Sequence, residues 1–566
     1  MLRNELEELV RQAVMRAQEA GGLPATVIPD VVIERPKRAE HGDYACSLPL
    51  KMVGEVNRAL RETGQPTLGP VEIGTRIAAQ VRAAPFLGRV ESVPPGFLNV
   101  TLHERWLAGQ VEAILGAGDA YGTVDLGHGA RVQVEFGSIN PTGPLHVGAG
   151  RNLALGDTLA NLLAASGYRV EREYYLNDAG TQMDAFGASL YVRYCEALGR
   201  PSSPDYEVRY LGRYIADWAA EIAQESGDRY LQVTPDEAVV LMREAGLEKA
   251  LGMIRRDCEQ MNIHYDRWFS ERSLYGEGLF ETVLSILREA GHLYEADGAL
   301  WFDAVGLGAD KNEVVIRASG VPGYFASDIA YHYDKFVRRG FDQVIDVWGA
   351  DHQGHVPRMK AMMKALGLDP ERLVLYVYQL VTLVERGEQV RLSKRAGTQV
   401  NLRDLLDDIG ADAVRFFLIS RTADSQMELD LDLARTQSDE NPVFYIQYGH
   451  ARIASILRHA QEMGHDDEGG DCSLLSHPSE MALVRKLLEL PEVVSLAAAE
   501  RAPHHLPRYA QELAATFHAF YRDCRVVSSD PADAALTKAR LRLAKAAKLV
   551  LGRTLGLMGV GAPERM

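Results

Sequence analysis

The sequence predicts an α/β protein in which a parallel-sheet domain is flanked by a small N-terminal α/β domain and a C-terminal all-helical bundle. Between about residues 131 and 435, strand-like and helix-like patterns alternate, as they do in a parallel sheet with crossover helices. From about 440 to 566 the apolar residues recur only at helical spacing. The 566 residues, 46% of them hydrophobic, are enough for several domains with buried cores.

The elements can be followed in order along the chain. Residues 1 to about 115 begin with an amphipathic helix and end on the strand-like run 97–102. Five glycines between 116 and 129 indicate a linker. A stretch from about 205 to 265 has helical patterns without a strand signal and is predicted to be an insertion. We therefore predict domains at 1–115, 116–435 and 436–566.

Composition narrows the class of protein. The net charge of −17 argues against a uniformly basic nucleic-acid-binding surface, although six cations and no acid lie between Lys538 and Arg553. The five cysteines show no C-x-x-C spacing, so neither a zinc site nor a disulfide framework is expected. No apolar run is as long as a membrane span, and four glutamates within the first twenty residues indicate a folded helix and not a signal peptide. We expect a cytoplasmic protein without membrane contact.

The segment from 132 to 167 has the pattern of a nucleotide-binding turn. An alternating strand pattern ends in a Gly/Pro-rich turn, and a leucine-rich helix pattern follows as far as Gly167. The N-terminus of such a helix presents unpaired N–H groups and a positive dipole end to a phosphate. His146 lies two residues before Gly148, so an imidazole stands beside a position that a flat ligand can approach closely. A helix-capping histidine beside a packing glycine is the alternative for this segment alone.

A basic segment follows about 245 residues later. Arg391-Leu392-Ser393-Lys394-Arg395 places three cations around one serine, just before a helix that is predicted to start near Asn401. Such a cluster suits a clamp on a polyphosphate. A solvated basic loop is the alternative.

Together, the two segments resemble the signatures of class I aminoacyl-tRNA synthetases. His146-Val147-Gly148-Ala149 is similar to the HIGH motif, and residues 391–395 are similar to the KMSKS loop. Within that class the sequence resembles the arginyl-tRNA synthetases over essentially its whole length. The other stretches that carry this resemblance are 41–44, 95–99, 175–183, 324–332, 348–352 and 441–452. The resemblance implies a Rossmann-like catalytic domain and ATP-dependent ligation of L-arginine to tRNA(Arg) through an arginyl-adenylate.

The resemblance also implies roles for single residues at the nucleotide. ATP would lie against His146, Gly148, Ala149, Gly150 and Lys394, and Mg²⁺ would accompany it without a dedicated protein site, zinc or organic cofactor. The catalytic residues would be His146, which would also stabilise the α-phosphate, Lys394 and Arg391, which would act on the departing pyrophosphate, and Ser393. One position departs from the family pattern, because Ala149 stands where HIGH has a second histidine. That departure raises the alternative of a non-catalytic, RNA-binding relative.

An arginine pocket needs carboxylates, because the guanidinium is always charged and presents a planar fork of donors. Glu135 is an acid on a half-buried strand, which is unexpected unless it is paired. Asp328 and Asp351 are expected at strand ends, and a surface carboxylate is the alternative for Asp351. The resemblance implies that arginine is bound by a set of pocket residues comprising Glu135, Ser138, Asn140, Tyr324, Asp328 and Asp351. A class I synthetase for another amino acid is the alternative to this specificity.

The C-terminal helices are the expected site for tRNA. Aromatic rings can stack on unpaired bases, and cations can contact phosphates. The candidates are Gln447, Tyr448, His450, Arg452, Arg540 and Arg542. A core aromatic is the alternative for Tyr448, and a solvated helix face is the alternative for the basic run. The expected partners are tRNA(Arg), L-arginine and ATP, with the protein acting as a monomer.

Overall fold

The computed structural model describes residues 2–36, 38–202, 206–276, 278–390 and 400–566. Arg391, Ser393 and Lys394 lie outside the described residues, as does the side chain of Tyr324. The roles assigned to these four side chains therefore stay predictions.

The N-terminal region is a small antiparallel sheet covered by helices. The sheet has the order β1-β2-β4-β3, and the strand predicted at 97–102 forms as its β4. The elements are α1 (Leu2–Glu19), β1 (Ile33–Glu34), β2 (Tyr44–Cys46), α2 (Leu48–Glu62), α3 (Pro70–Ala78), β3 (Leu87–Val93), β4 (Phe97–Leu102) and α4 (Glu104–Ala117).

The central region is built on a five-stranded parallel sheet, as predicted. Its strands and the helices between them are β5 (Arg131–Glu135), α5 (Val147–Ala165), β6 (Arg169–Leu176), α6 (Thr181–Ala197), α7 (Arg213–Ser226), α8 (Pro235–Gln260), β7 (Arg267–Ser270), α9 (Arg272–Gly276), α10 (Leu279–Glu289), β8 (Leu293–Ala296), β9 (Ala299–Phe302), β10 (Glu313–Ile316), α11 (Tyr324–Tyr333), β11 (Gln343–Gly349), α12 (Val356–Ala365) and β12 (Leu373–Tyr378). The sheet order is β12-β11-β5-β6-β7. Helices α7 and α8 form the predicted insertion. Strand β5 lies at the centre of the sheet, so its carboxyl end opens onto the crevice where such sheets bind ligands.

Two small sheets were not predicted. Strands β8, β9 and β10 form one of them, an antiparallel sheet. The apolar run that follows Leu373 divides between β12 and a further strand, β13 (Val381–Glu385), which forms the second sheet with β14 (Glu388–Gln389) and β15 (Met427–Asp430). The remaining elements of this region are α13 (Leu402–Ile409), α14 (Ala411–Ile419) and α15 (Leu431–Arg435). Strands of two to five residues are too short to show a clear period in the sequence.

The C-terminal region is helical throughout its described residues. It comprises α16 (Pro442–Glu462), α17 (Pro478–Leu487), α18 (Leu490–Ala499), α19 (His505–Asp523) and α20 (Ala534–Leu557). One continuous hydrophobic core joins these helices to α5 and to the N-terminal sheet. Helix α5 is buried along almost its whole length. The turn that precedes α5 is therefore held on a firmly packed element.

Candidate active site

His146 is the N-cap of α5, at the end of the turn that follows β5. Its Nδ1 accepts a hydrogen bond from the Ala149 amide at 3.2 Å. A Cβ atom on Gly148 would lie 3.0 Å from the His146 ring, so the imidazole packs directly against that glycine. The capping role that sequence analysis offered as the alternative is thus present, and it holds the ring over the helix N-terminus. Capping and nucleotide binding are compatible here, because the cap leaves other N–H groups of the first turn available.

The third and fourth residues of α5 face the protein interior. Ala149 is 1% exposed. A Cβ atom on Gly150 would lie 2.8 Å from Leu402, the first residue of α13. That helix starts directly after Asn401, as predicted. Ala149 and Gly150 are therefore packing positions, and a histidine at 149 would have to displace its neighbours.

Two side chains that the sequence analysis did not single out hold this turn in place. Asn152 accepts a hydrogen bond from the Gly137 amide at 2.6 Å and donates one to the Val347 carbonyl at 2.8 Å. Tyr214, on the insertion helix α7, donates from its hydroxyl to the Thr142 carbonyl at 2.8 Å. Asn152 is one of several buried polar residues on α5, with Arg151, Asp157 and Thr158, so the sequence carries no signal that singles it out.

Glu135 ends β5 and is almost completely buried. Its Oε2 accepts a hydrogen bond from Lys335 Nζ at 2.6 Å, and the same ammonium donates to Asp346 Oδ1 at 2.8 Å. Burial raises the pKa of the Glu135 carboxyl, and the neighbouring Lys335 only partly offsets that effect. The pairing expected for an acid on a buried strand is present, and its partner is a lysine 200 residues away.

Asp328 lies in helix α11 and not at a strand end, which corrects the placement expected from the sequence. Asp328 nevertheless lies near Glu135. Its charged neighbours include Lys335 and Asp346, and Asp346 on β11 pairs in register with Glu135 on β5. Among the residues that the structure describes, no Lys, Arg or His lies within 4 Å of the Asp328 carboxylate. Burial raises the pKa of Asp328. Its partly buried carboxylate thus lacks a close cation.

Three other predicted arginine contacts follow the carboxyl ends of β5 and β11. Ser138 Oγ accepts a hydrogen bond from the Tyr175 amide at 3.1 Å, and Asn140 Oδ1 accepts one from Asn177 Nδ2 at 3.0 Å. Asp351 follows β11, as predicted, with a side chain that is 75% exposed and lies 3.4 Å from His352 Nε2. Asp351 is therefore much more open to solvent than Glu135.

The predicted tRNA residues on α16 divide into two kinds. Gln447 donates to the Asp412 carboxylate at 2.7 Å and to the Gly561 carbonyl at 2.9 Å, and buried His450 donates from Nδ1 to the Pro563 carbonyl at 2.8 Å. Both side chains fasten the C-terminal tail to α16. Tyr448 and Arg452 instead line an open cavity of about 860 Å³, together with cationic and aromatic side chains from Arg458, His459, Tyr521, Arg525 and Arg565.

The basic run on α20 is largely matched by acids. Arg540 Nε donates to Glu480 at 2.7 Å, and Arg542 forms ion pairs with Glu112 and Asp467. Lys538, Lys545 and Lys548 pair with Asp466, Asp467 and Glu564. These pairings favour the helix-face alternative for the run.

Three family models match the chain in order. They are the arginyl tRNA synthetase N-terminal domain over residues 4–102, the class I (R) tRNA synthetase catalytic domain over 110–430 and the DALR anticodon-binding domain over 446–566. The chain belongs to the arginyl-tRNA synthetase family. Its reaction is the ATP-dependent ligation of L-arginine to tRNA(Arg) through an arginyl-adenylate, with release of AMP and pyrophosphate.

Individual members of the arginyl-tRNA synthetase family agree with this assignment. The arginine–tRNA ligase of Dehalococcoides mccartyi strain BAV1 is 46% identical over 100% of this chain and 99% of its own, and that of Heliobacterium modesticaldum is 44% identical with the same coverage. A putative arginyl-tRNA synthetase structure from Campylobacter jejuni is 32% identical and covers 82% of this chain and 100% of its own with a TM-score of 0.75. The Thermus thermophilus structure, 24% identical over 100% of both chains with a TM-score of 0.71, agrees in fold. The alternative of a synthetase for another amino acid is thereby excluded.

Among the residues that the structure describes, no helix has the length and apolar character needed to cross a membrane.

Proposed function

We propose that this arginyl-tRNA synthetase selects its amino acid through the carboxylates of Glu135 and Asp328. The observation that carries the proposal is that both acids are withdrawn from water while Asp328 has no close cation among the described residues. An ionised carboxylate in that position is costly unless a cation arrives to compensate it. A guanidinium supplies the charge and a planar set of donors that two carboxylates can share.

The polar residues around these acids suit the other end of the amino acid. Ser138 and Asn140 follow β5 within one turn, between Glu135 and the start of α5, so they can contact the α-amino and α-carboxylate groups. Tyr324 stands one helical turn before Asp328 and would contact the side chain of the substrate. Asp351, exposed at the next strand end, would attract the α-ammonium group.

ATP would bind across the N-terminus of α5. His146 and the close approach allowed by Gly148 would hold the nucleotide, and the N–H groups of the first turn that the cap leaves available would face its phosphates, with Ala149 and Gly150 packed behind them. The arginine carboxylate would attack the α-phosphorus in line, and pyrophosphate would leave toward Arg391, Ser393 and Lys394. Catalysis would come from alignment and from cations that face the developing charge.

Mg²⁺ would enter with ATP as part of the substrate. The described part of the chain contains no group of three or more His, Cys, Asp or Glu side chains arranged to hold a metal ion, so the phosphates would provide its ligands. We further propose that the enzyme acts as a monomer in the cytoplasm and that adenylation requires bound tRNA, as the family resemblance implies.

The cavity beside Tyr448 and Arg452 would receive the tRNA anticodon. Arg452 lies over the Tyr448 ring, with its guanidinium carbon 4.4 Å from the ring centroid, and donates to the Tyr448 hydroxyl at 2.5 Å. The pair presents a flat, cationic surface on which an unpaired base can stack. Gln447 and His450 would support this surface by fixing the C-terminal tail. Residues 1–115, 116–435 and 436–566 would then serve as tRNA-contacting, catalytic and anticodon-binding domains.

The test is the pH dependence of arginine binding in tRNA-dependent pyrophosphate exchange. The raised pKa values of Glu135 and Asp328 mean that their protonated forms persist to a higher pH than usual. Because the guanidinium needs the carboxylates, arginine KM should rise, as the pH falls, by about tenfold per pH unit for each carboxylate that becomes protonated. ATP KM should stay nearly level over the same range. A flat arginine KM profile, or exchange that is equally fast without tRNA, would contradict the corresponding part of the proposal.

A further inference from the structure

A buried lysine, Lys335, contacts the carboxylates at the base of the proposed arginine pocket. Lys335 is completely buried and lies in a π-helical turn, Asp334–Arg338, that continues α11. Asp328, His332 and Lys335 are spaced at i, i+4 and i+7, so they share one face of this helical segment. That face points at β5 and β11, where Glu135 and Asp346 stand in register.

His332 is a second partner of Asp346. Its Nδ1 lies 2.7 Å from the Asp328 carbonyl oxygen, and its Nε2 lies 2.9 Å from Asp346 Oδ2. The Lys335 ammonium contacts the other oxygen of Asp346, at 2.8 Å. Although burial opposes it, this ammonium holds the pKa of Asp346 well below its usual range. Asp346 is therefore held on both of its oxygens by the helical segment that carries Asp328.

The carboxylates of this cluster share a single ammonium. Lys335 contacts both Glu135 and Asp346, whereas no Lys, Arg or His of the described residues lies within 4 Å of the Asp328 carboxylate. The charged groups nearby are matched separately: Glu173 pairs with Arg339, and Arg358 pairs with Glu313 at 3.0 Å. Burial raises the pKa of Glu271, on the Tyr175 side of Asp328. A guanidinium that enters this pocket would therefore meet acids that outnumber the ammonium beside them.

We propose that Lys335 is a positioning residue for arginine recognition. It orients the Glu135 carboxylate through the 2.6 Å hydrogen bond and favours its ionised form, which is the form that binds a guanidinium. Lys335 itself does not touch the substrate. This inference rests on the proposed role of Glu135 in binding arginine.

The decisive variant is Lys335→Met, which keeps most of the side-chain volume and removes the charge. Without the ammonium the pKa of Glu135 rises further, so the carboxylate that binds the guanidinium forms only at higher pH. The curve of arginine KM against pH should move upward by about one unit or more, because an opposite charge at this distance is worth about one to three units. At pH values below the pKa of Glu135, arginine KM should then rise roughly tenfold. ATP KM, tRNA KM and the circular dichroism spectrum should be unchanged, and Lys335→Arg should restore the wild-type pH profile.

A double-mutant cycle separates positioning from general structural damage. If Lys335 acts through Glu135, the combination of Glu135→Gln with Lys335→Met should raise arginine KM by about the same factor as Glu135→Gln alone, within roughly twofold. Effects that multiply, or an unmoved pH profile in Lys335→Met, would overturn the inference. If Lys335→Met does not fold, Lys335→Arg decides, since a shifted pH profile in that charge-conserving variant contradicts it. An unaltered arginine KM in Glu135→Gln would instead refute the proposed arginine pocket itself.

Discussion

The proposed arginine pocket and the basic run on α20 are both rich in charge, but they differ in how the charges are matched. In the pocket, Glu135 and Asp346 share the buried ammonium of Lys335, and the partly buried Asp328 has no Lys, Arg or His within 4 Å among the described residues. On α20, each of five cations meets an acid, and all of these acids except the buried Glu480 are at or near the surface; the cations are Lys538, Arg540, Arg542, Lys545 and Lys548. An unmatched buried charge is costly and therefore selects a ligand, whereas matched surface charges contribute little. The distribution of partners, and not the number of charges, separates a binding site from a solvated face.

Removal of one pocket carboxylate is expected to have the largest effect. Glu135→Gln and Asp328→Asn should each weaken arginine selection by about 2–5 kcal/mol, as when one partner of a buried charge pair is lost. Arginine KM in pyrophosphate exchange is the measurement, and ATP KM should hardly change. Asp310→Asn, which alters an exposed acid of the same region, is the matched control. An arginine KM within about threefold of wild type, less than about 1 kcal/mol, would show that the substituted carboxylate does not hold the guanidinium.

The cavity on α16 should show the next largest effect. Tyr448→Ala and Arg452→Ala should each raise tRNA KM. The increase should correspond to a loss of about 1–3 kcal/mol of binding free energy, the usual contribution of a stacked base. Arginine KM should remain as in the wild type. Tyr448→Phe keeps the ring and loses the hydroxyl, so it should retain most of the affinity. Equal losses in the alanine and phenylalanine variants would argue against stacking.

The α20 run should respond in stability more than in tRNA binding. Arg540 pairs with Glu480, which is 1% exposed, so Arg540→Ala leaves a buried acid without its cation and should lower the free energy of unfolding by about 1–3 kcal/mol. Arg542→Ala, whose partner Glu112 is half exposed, should cost less than about 1 kcal/mol. The measurements are urea unfolding and tRNA KM at two salt concentrations. A raised tRNA KM with a shallower salt dependence in both variants would restore the run as a phosphate-binding stripe.

The smallest expected effect lies between the insertion and the nucleotide turn. Tyr214→Phe removes the hydrogen bond to the Thr142 carbonyl and should lower kcat/KM for ATP. The decrease should correspond to about 0.5–1.5 kcal/mol, the net free energy of one hydrogen bond. The ring remains, and it still occupies the space above Gly143, where an added Cβ would lie 2.7 Å from the Tyr214 hydroxyl. Tyr230→Phe, on the same insertion, is the control. If both variants match the wild type, the insertion does not position the turn.

Local patterns predicted much of the framework of the site. The alternation before the turn placed β5, the leucine spacing placed α5 with its end before Gly167, and the apolar run before Asp351 placed β11. These elements are set by periods of two or 3.6 residues, which are visible in a single segment. The placement of Asp328 was wrong because an acid in the second turn of a helix carries no local sign of which sheet end it will face.

The order of domains, the nucleotide turn and the family could all be predicted from the sequence, because each depends on residues that are close along the chain or on motifs in a set order. The pairing of charges could not be predicted in this way and required the folded structure. Lys335 meets Glu135 across 200 residues, and Arg542 meets Glu112 across 430. Electrostatic compensation depends on distance and burial in space. Neither quantity can be obtained from separation along the chain, so the contact between Lys335 and Glu135 could not be predicted from the sequence.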